Sequence, residues 1–235
     1  MIPAVLFDLD DTLIESTRAI RIAARVATEA IGDLAGDELD DACATWWVDP
    51  GGFFAAYGRG ELSFDQQREA RLVRVCADHG LPELDSTGRA TWLDRYTRAL
   101  VDNARSYQDV VPCLAALSGR PLGIVTNVAT DGQRAKLRSA GLEMWFDVVL
   151  GPDLFGARKP DPAGFLAGCA ALGVDVAAAV YVGDNLDLDA RGAAAAGLRG
   201  IWLDRRRRAP VEDVERIESL AELPGLLGMS SDRQR

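Results

Sequence analysis

Carboxylates, one lysine and one hydroxyl stand where the apolar runs of this chain stop. Asp8, Leu9, Asp10, Asp11 and Thr12 follow the run Val5–Phe7. Thr126 and Asn127 follow Leu122–Val125. Gly183, Asp184 and Asn185 follow Ala179–Val182, with Asp187 and Asp189 close behind. A fourth segment, Lys159-Pro160-Asp161-Pro162, opens a helix-like stretch. A carboxylate placed directly after a buried run is costly unless something neutralises it, and a bound Mg²⁺ would do so. A hydroxyl and a backbone N–H at a strand end can each bind one phosphate oxygen. These groups together suit a hard divalent cation and a phosphate, and they point to phosphoryl transfer.

Lys159 stands out by composition. Of 26 basic residues only Lys136 and Lys159 are lysines, so a basic position drawn at random would be Arg. A compact point charge on a flexible stem suits a site shared with a carboxylate and a phosphoryl group. Pro162 fits the first turn of the following helix, whose N-terminus adds positive potential. Lys136, on a polar helix face, is expected to be solvated, Arg158 to lie at the surface, and Asp187 to sit at a helix N-terminus.

Elements that could bring these segments together are legible in the apolar periodicity. Residues 3–8, 121–126, 147–150, 179–183 and 199–203 read as buried strands. Helices are expected at 112–118, 130–140, 161–172, 187–197 and 214–227. Between residues 15 and 104 only helical patterns occur: one after Arg18, then about 37–48, 52–58, 64–79 and 87–104. Ser63 with Gln66 three residues later makes a capping-box start. The fold class is therefore α/β: a Rossmann-like parallel sheet core with helices on both faces, built from residues 1–14 and 105–229, plus an inserted all-helical cap domain, residues 15–104. Residues 230–235 read as a disordered tail. Open α/β sheets bind ligands outside the carboxyl ends of their strands, so the four segments should converge.

The four segments, in this order along the chain, resemble the haloacid dehalogenase-like hydrolase superfamily over roughly residues 2 to 204, most closely its phosphatases with a helical cap inserted after the first strand. That branch includes phosphoglycolate phosphatases and nucleotidases. The resemblance implies that Asp8 is the nucleophile forming an aspartyl-phosphate. Asp10 would be the general acid, then the base for water, help that is typically worth about 10²–10⁴-fold. It implies Lys159 as the catalytic, phosphate-binding lysine and Thr126 with Asn127 as phosphate-binding residues. Mg²⁺ would be held by Asp8, the Asp10 backbone carbonyl and Asp184, with Asp189 supporting Lys159 or a metal-bound water. Members that cleave carbon–halogen bonds lack an acid two residues after the nucleophile, so Asp10 favours oxygen leaving groups. Asp11, where the family often has Gly, reads as a turn residue, and Thr12 as a local hydrogen bonder that holds the turn.

The expected activity is Mg²⁺-dependent hydrolysis of a small phosphomonoester. Two rivals stay open: a phosphomutase acting on a sugar phosphate, and a non-catalytic binding protein on the same fold. In the cap, the aromatic segment Trp46–Tyr57 with Arg68 and Arg71 reads either as a substrate-recognition surface, Arg71 included, or as cap core with surface arginines.

A net charge of -10 argues against nucleic acid as a partner. The run Arg205–Arg208 reads as a solvated loop after the last strand. Cys43, Cys76, Cys113 and Cys169 lie far apart and read as reduced core residues. The lone His79 sits at a helix stop and excludes clustered histidine ligands. No signal peptide or membrane span is visible, so a cytoplasmic monomer or weak homodimer is expected.

Overall fold

The structure is a computed structural model and describes residues 4–209 and 211–228; the tail expectation for 230–235 lies outside the described residues. The chain divides into two compact units, Met1–Glu15 with Arg105–Arg235, and Ser16–Ala104.

The first unit holds one sheet of six parallel strands. In chain order it comprises β1 (Ala4–Phe7), β2 (Leu122–Val125), β3 (Val148–Leu150), β4 (Ala179–Gly183), β5 (Arg199–Leu203) and β6 (Glu215–Ile217). Their spatial order is β3-β2-β1-β4-β5-β6. Every residue of β1, β2 and β4 is buried. A strand buried at consecutive positions is covered on both faces, which is why these runs are continuously apolar. Gly123 in β2 has a packing reason: a Cβ there would lie 2.6 Å from Val148 Cγ2 and 2.8 Å from Leu6 Cδ2. Leu6, Val125, Phe165, Cys169 and Tyr181 form one core cluster under the sheet.

The second unit is helical: α1 (Ser16–Thr28), α2 (Gly36–Val48), α3 (Phe53–Gly58), α4 (Phe64–Asp78) and α5 (Ser86–Asp102). Ser63 and Gln66 form the capping box at the start of α4. Trp46, Trp92 and Tyr96 build its centre, with ring centroids 4.7, 5.0 and 5.4 Å apart. Among the described residues no helix is long and apolar enough to cross a membrane.

Back in the sheet unit the helices are α6 (Val110–Ala116), α7 (Thr130–Ser139), α8 (Pro152–Phe155), α9 (Pro162–Ala171), α10 (Gly192–Ala195) and α11 (Leu223–Leu226). Two expectations need correction. The helix at 187–197 is a wide π turn, Leu186–Arg191, followed by the short α10. Asn185 starts it by accepting from the Asp187 and Leu188 amides at 3.1 and 3.0 Å. The helix at 214–227 is instead the edge strand β6, a 3₁₀ turn at Leu220–Glu222 and the short α11. In β6 the side chains alternate: Arg216 pairs with buried Asp204 at 2.9 Å while Ile217 is buried. Ser219 and Glu222 then cap a new turn, so the segment cannot run as one helix.

Candidate active site

Asp8, Thr126 and Asp184 directly follow or close upon the carboxyl ends of β1, β2 and β4. β1 lies between the other two, and the chain crosses from one side of it to the other between β3 and β4. That switch point is where an open α/β sheet leaves a crevice. Backbone pairing continues past the strands and fixes the loop starts: Asp8 N donates to Val182 O at 2.9 Å and Thr126 N to Leu150 O at 3.0 Å.

Lys159 is the centre of the site. Its Nζ donates to Asp8 Oδ1 at 2.6 Å, Asp189 Oδ1 at 2.7 Å and the Tyr181 hydroxyl at 2.7 Å. An ammonium has three donors, and all three are engaged. Asn127 holds the lysine's backbone: its Oδ1 accepts from Lys159 N at 2.7 Å and its Nδ2 donates to Lys159 O at 3.0 Å. The Asn127 side chain therefore seats the Lys159 loop on the end of β2. Burial alone would push the Lys159 ammonium down, but Asp189 and Asp8 override it and hold its pKa well above the ordinary value.

Asp189 reaches Lys159 only because residue 183 is glycine, since a Cβ there would collide with the Asp189 carboxyl. Its second oxygen accepts from Asn185 N at 3.0 Å. Thr12 does more than hold a local turn. Its Oγ1 accepts from Asp184 N at 3.0 Å and lies 3.5 Å from Asp8 Oδ2, joining the loops after β1 and β4. Asp11 sits at φ 58°, a left-handed turn position that Asp tolerates better than most residues.

Ligand atoms of Asp8, Asp184 and Asp189 lie within 4.8 Å of one another. Three carboxylates thus face one ammonium, and the excess negative charge shows in the protonation of Asp8 and Asp184. Asp8 is held up at about 8: burial raises it most, Lys159 pulls against that, and Asp189, Asp184 and Asp10 push it further up. Burial, then Asp189 and Asp11, push Asp184 up to about 7. Hard oxygen donors with uncompensated charge fit a divalent cation.

Several residues depart from their expected places. Lys136 is buried, not solvated, and its Nζ donates to Asp10 Oδ1 at 2.6 Å. A buried ammonium needs such a partner. Arg158 is half-buried. The arginine run precedes β6; Arg206, Arg207 and Arg208 are exposed as expected, while Arg205 is not. Arg205 is largely buried, donates to both Asp109 oxygens at 2.8 and 3.0 Å and to Thr12 O at 2.8 Å, and stacks on Tyr107. It thereby anchors the Asp8–Thr12 loop. Gln133 and Tyr181 were not singled out by the sequence. Tyr181 looks like an ordinary core strand residue, yet its hydroxyl donates to Val125 O at 2.7 Å and accepts from Lys159.

In the helical unit, Trp46 and Tyr57 are buried while Phe54 is exposed. The Arg71 guanidinium lies over the Trp46 ring, 4.3 Å from its centroid, and donates to Trp46 O. Arg68 lies over Phe64 and Tyr96 and donates to Thr97 at 2.6 Å. Both arginines are thus engaged within the unit.

The raised carboxylates set a pH expectation. Free carboxylates lose their protons near 3.8, whereas folded Asp8 and Asp184 keep theirs to about 8 and about 7. Between those limits the folded state binds more protons than the unfolded one, so stability falls as pH rises. Calorimetry of metal-free protein should show this loss between about pH 4 and about pH 8, and Mg²⁺ should raise the unfolding temperature more at the upper end. A pH-independent Mg²⁺ effect would contradict the charge excess.

Comparison with known proteins agrees with this architecture. A family model described as haloacid dehalogenase-like hydrolase matches residues 2–197. The chain is 34% identical over 217 residues to a glyceraldehyde 3-phosphate phosphatase of Methanopyrus kandleri, covering 92% of this chain and 88% of that one. It is 34% identical over 205 residues to a phosphoglycolate phosphatase of Rhodospirillum rubrum, covering 83% and 76%. Among solved structures, Bacillus subtilis YfnB bound to magnesium superposes with a TM-score of 0.82 at 24% identity, covering 97% of this chain and 99% of the other, a likeness of fold. From the family match and the extent of these alignments, the chain belongs to the haloacid dehalogenase-like hydrolases.

Proposed function

We propose that the protein is a Mg²⁺-dependent phosphatase that hydrolyses a small phosphomonoester through an aspartyl-phosphate on Asp8. The observation that carries this reading is the convergence of Asp8, Lys159 and Asp189 with the Asp184 carboxylate at one strand-end crevice. Asp8 and Asp184 side chains, with the Asp10 backbone carbonyl, would hold the cation. Bound there, Mg²⁺ supplies neutralisation for the carboxylates and the phosphoryl oxygens.

The chain's own residues do the rest. Lys159 fixes one oxygen of Asp8 and, with Asp189 behind it, keeps a positive charge beside the nucleophile. Thr126, almost fully buried, offers its hydroxyl to a phosphoryl oxygen. Asp10, more exposed than Asp8, delivers a proton to the leaving oxygen and later takes one from water. Catalysis is then mainly positioning and charge stabilisation. These core groups are committed to the phosphoryl group and its proton, so choice among monoesters is assigned to the inserted helical unit. The named relatives make phosphoglycolate and glyceraldehyde 3-phosphate the first substrates to try. The wider substrate class is a small phosphorylated metabolite.

The test is a screen of phosphorylated metabolites with inorganic phosphate detection. Phosphate release should vanish on exhaustive chelation and return with Mg²⁺. Undiminished turnover after chelation would remove the metal role. An isomerised sugar phosphate in place of free phosphate would make the protein a phosphomutase.

A further inference from the structure

Helix α7 turns a polar face inward. Thr130, Gln133 and Lys136 are buried on it, three residues apart and so on one side of the helix. Buried amides and ammonium groups are unfavourable without partners. Here the partners are the site residues. Gln133 Nε2 donates to Asp10 Oδ2 at 2.7 Å and to Thr126 Oγ1 at 2.8 Å. Lys136 Nζ donates to Asp10 Oδ1 at 2.6 Å. Each Asp10 oxygen therefore accepts from a different side chain of α7, which fixes the carboxylate's position and its plane.

The same amide orients the threonine. Thr126 Oγ1 accepts from Gln133 and, at 3.3 Å, from Val128 N. A hydroxyl has two lone pairs and one proton. With both lone pairs engaged, its remaining capacity is to donate, which is what a phosphoryl oxygen requires. Among the described residues Gln133 Oε1 is buried without a hydrogen-bond partner. Both Gln133 N–H groups are directed at the site.

We propose that Gln133 and Lys136 are positioning residues that hold the Asp10 carboxyl in register with the Thr126 hydroxyl, so that a phosphoryl group seated on Thr126 has its leaving oxygen aligned with the proton donor. This rests on the phosphatase reading above. In the step concerned, an Asp8 oxygen bonds to phosphorus, the ester P–O bond breaks, and the leaving oxygen takes its proton from Asp10. Misplacing Asp10 then harms esters whose oxygen must be protonated far more than esters whose oxygen leaves as a stable anion.

The experiment compares single-turnover release of the leaving group by the Mg²⁺-loaded full chain. The substrates are para-nitrophenyl phosphate and the faster of phosphoglycolate and glyceraldehyde 3-phosphate. In Gln133→Leu and in Lys136→Met the alkyl-to-aryl rate ratio should fall by about 10-fold or more, and Lys136→Arg should recover part of it. If Gln133→Leu does not fold, Gln133→Met carries the same comparison. Equal losses on both substrates, or an unchanged ratio, overturn the proposal while the phosphatase reading stands. If the wild-type chain releases nothing from either alkyl ester, the best alkyl substrate of the metabolite screen takes their place, and a blank screen overturns both.

Discussion

Replacing Asp8 by Asn should abolish turnover and leave the fold intact. The amide has nearly the shape of the carboxylate, and its oxygen can still accept from Lys159 Nζ, which lies 2.6 Å from Asp8 Oδ1. What it lacks is a carboxylate oxygen able to form the proposed acyl phosphate. Removing the proposed nucleophile from a machinery that acts as a unit costs far more than one hydrogen bond, and a loss of at least ~10⁴-fold in turnover is expected. The fold should not suffer, because burial already pushes the Asp8 carboxyl up to about 8. A neutral amide removes one negative charge from a crevice that holds too many. Metal-free Asp8→Asn should therefore unfold at the same temperature as the wild type or higher at about pH 8, where the wild-type carboxylate is most costly. Phosphate release and calorimetry on the same preparation decide the matter. Retention of more than a few per cent of activity would mean that another carboxylate, such as Asp11, attacks.

The sequence made the strand-end residues legible because a carboxylate or hydroxyl follows a buried apolar run three times along one chain, beside a lysine motif, where any one alone would read as a turn. Asp8, Thr126 and Asp184 stood out in that way, and Lys159 by its rarity among arginines. Gln133 and Lys136 were hidden by the converse logic. Helix α7 is polar on its buried side, since that side meets the polar groups of the site; a periodicity argument that assigns polar faces to solvent reads it backwards. Tyr181 was hidden inside a strand, where its ring packs in the core and only its hydroxyl enters the site. The misread stretch from 214 to 227 has a similar cause. Val214, Ile217, Leu220 and Leu223 recur every third residue and mimic a helix, whereas the strand β6 is three residues long, too short to display a period of two. Edge strands held by ion pairs such as Arg199–Glu215, at 2.6 Å, leave little apolar signal to read.

Lys159→Met should inactivate the protein and also destabilise it, with a signature that separates charge from packing. The methionine keeps most of the stem, and Lys159 is buried, so little apolar contact is lost. The variant instead leaves Asp8 and Asp189 facing each other without the ammonium that bonds to both. Breaking a buried ion pair from one side typically costs about 3–5 kcal/mol. The loss must depend on pH. Lys159 is what pulls the Asp8 carboxyl down against burial, so without it the folded state holds protons to still higher pH. Wild-type Asp8 itself keeps its proton to about 8, so the deficit relative to wild type opens as pH rises through that value, where the wild type releases the proton and the variant still holds it, and it widens above. Below it Asp8 is protonated in both folded proteins, and its contribution to the deficit should not change with pH. Mg²⁺ should restore part of the lost stability at about pH 8, because a divalent cation can neutralise the same carboxylates. Urea unfolding at several pH values, with and without Mg²⁺, measures all three effects. A deficit of constant size across pH, indifferent to Mg²⁺, would show that Lys159 stabilises through its packed stem alone. A deficit that grows with pH and shrinks with Mg²⁺ would show that one ammonium balances the Asp8 carboxylate until the cation arrives.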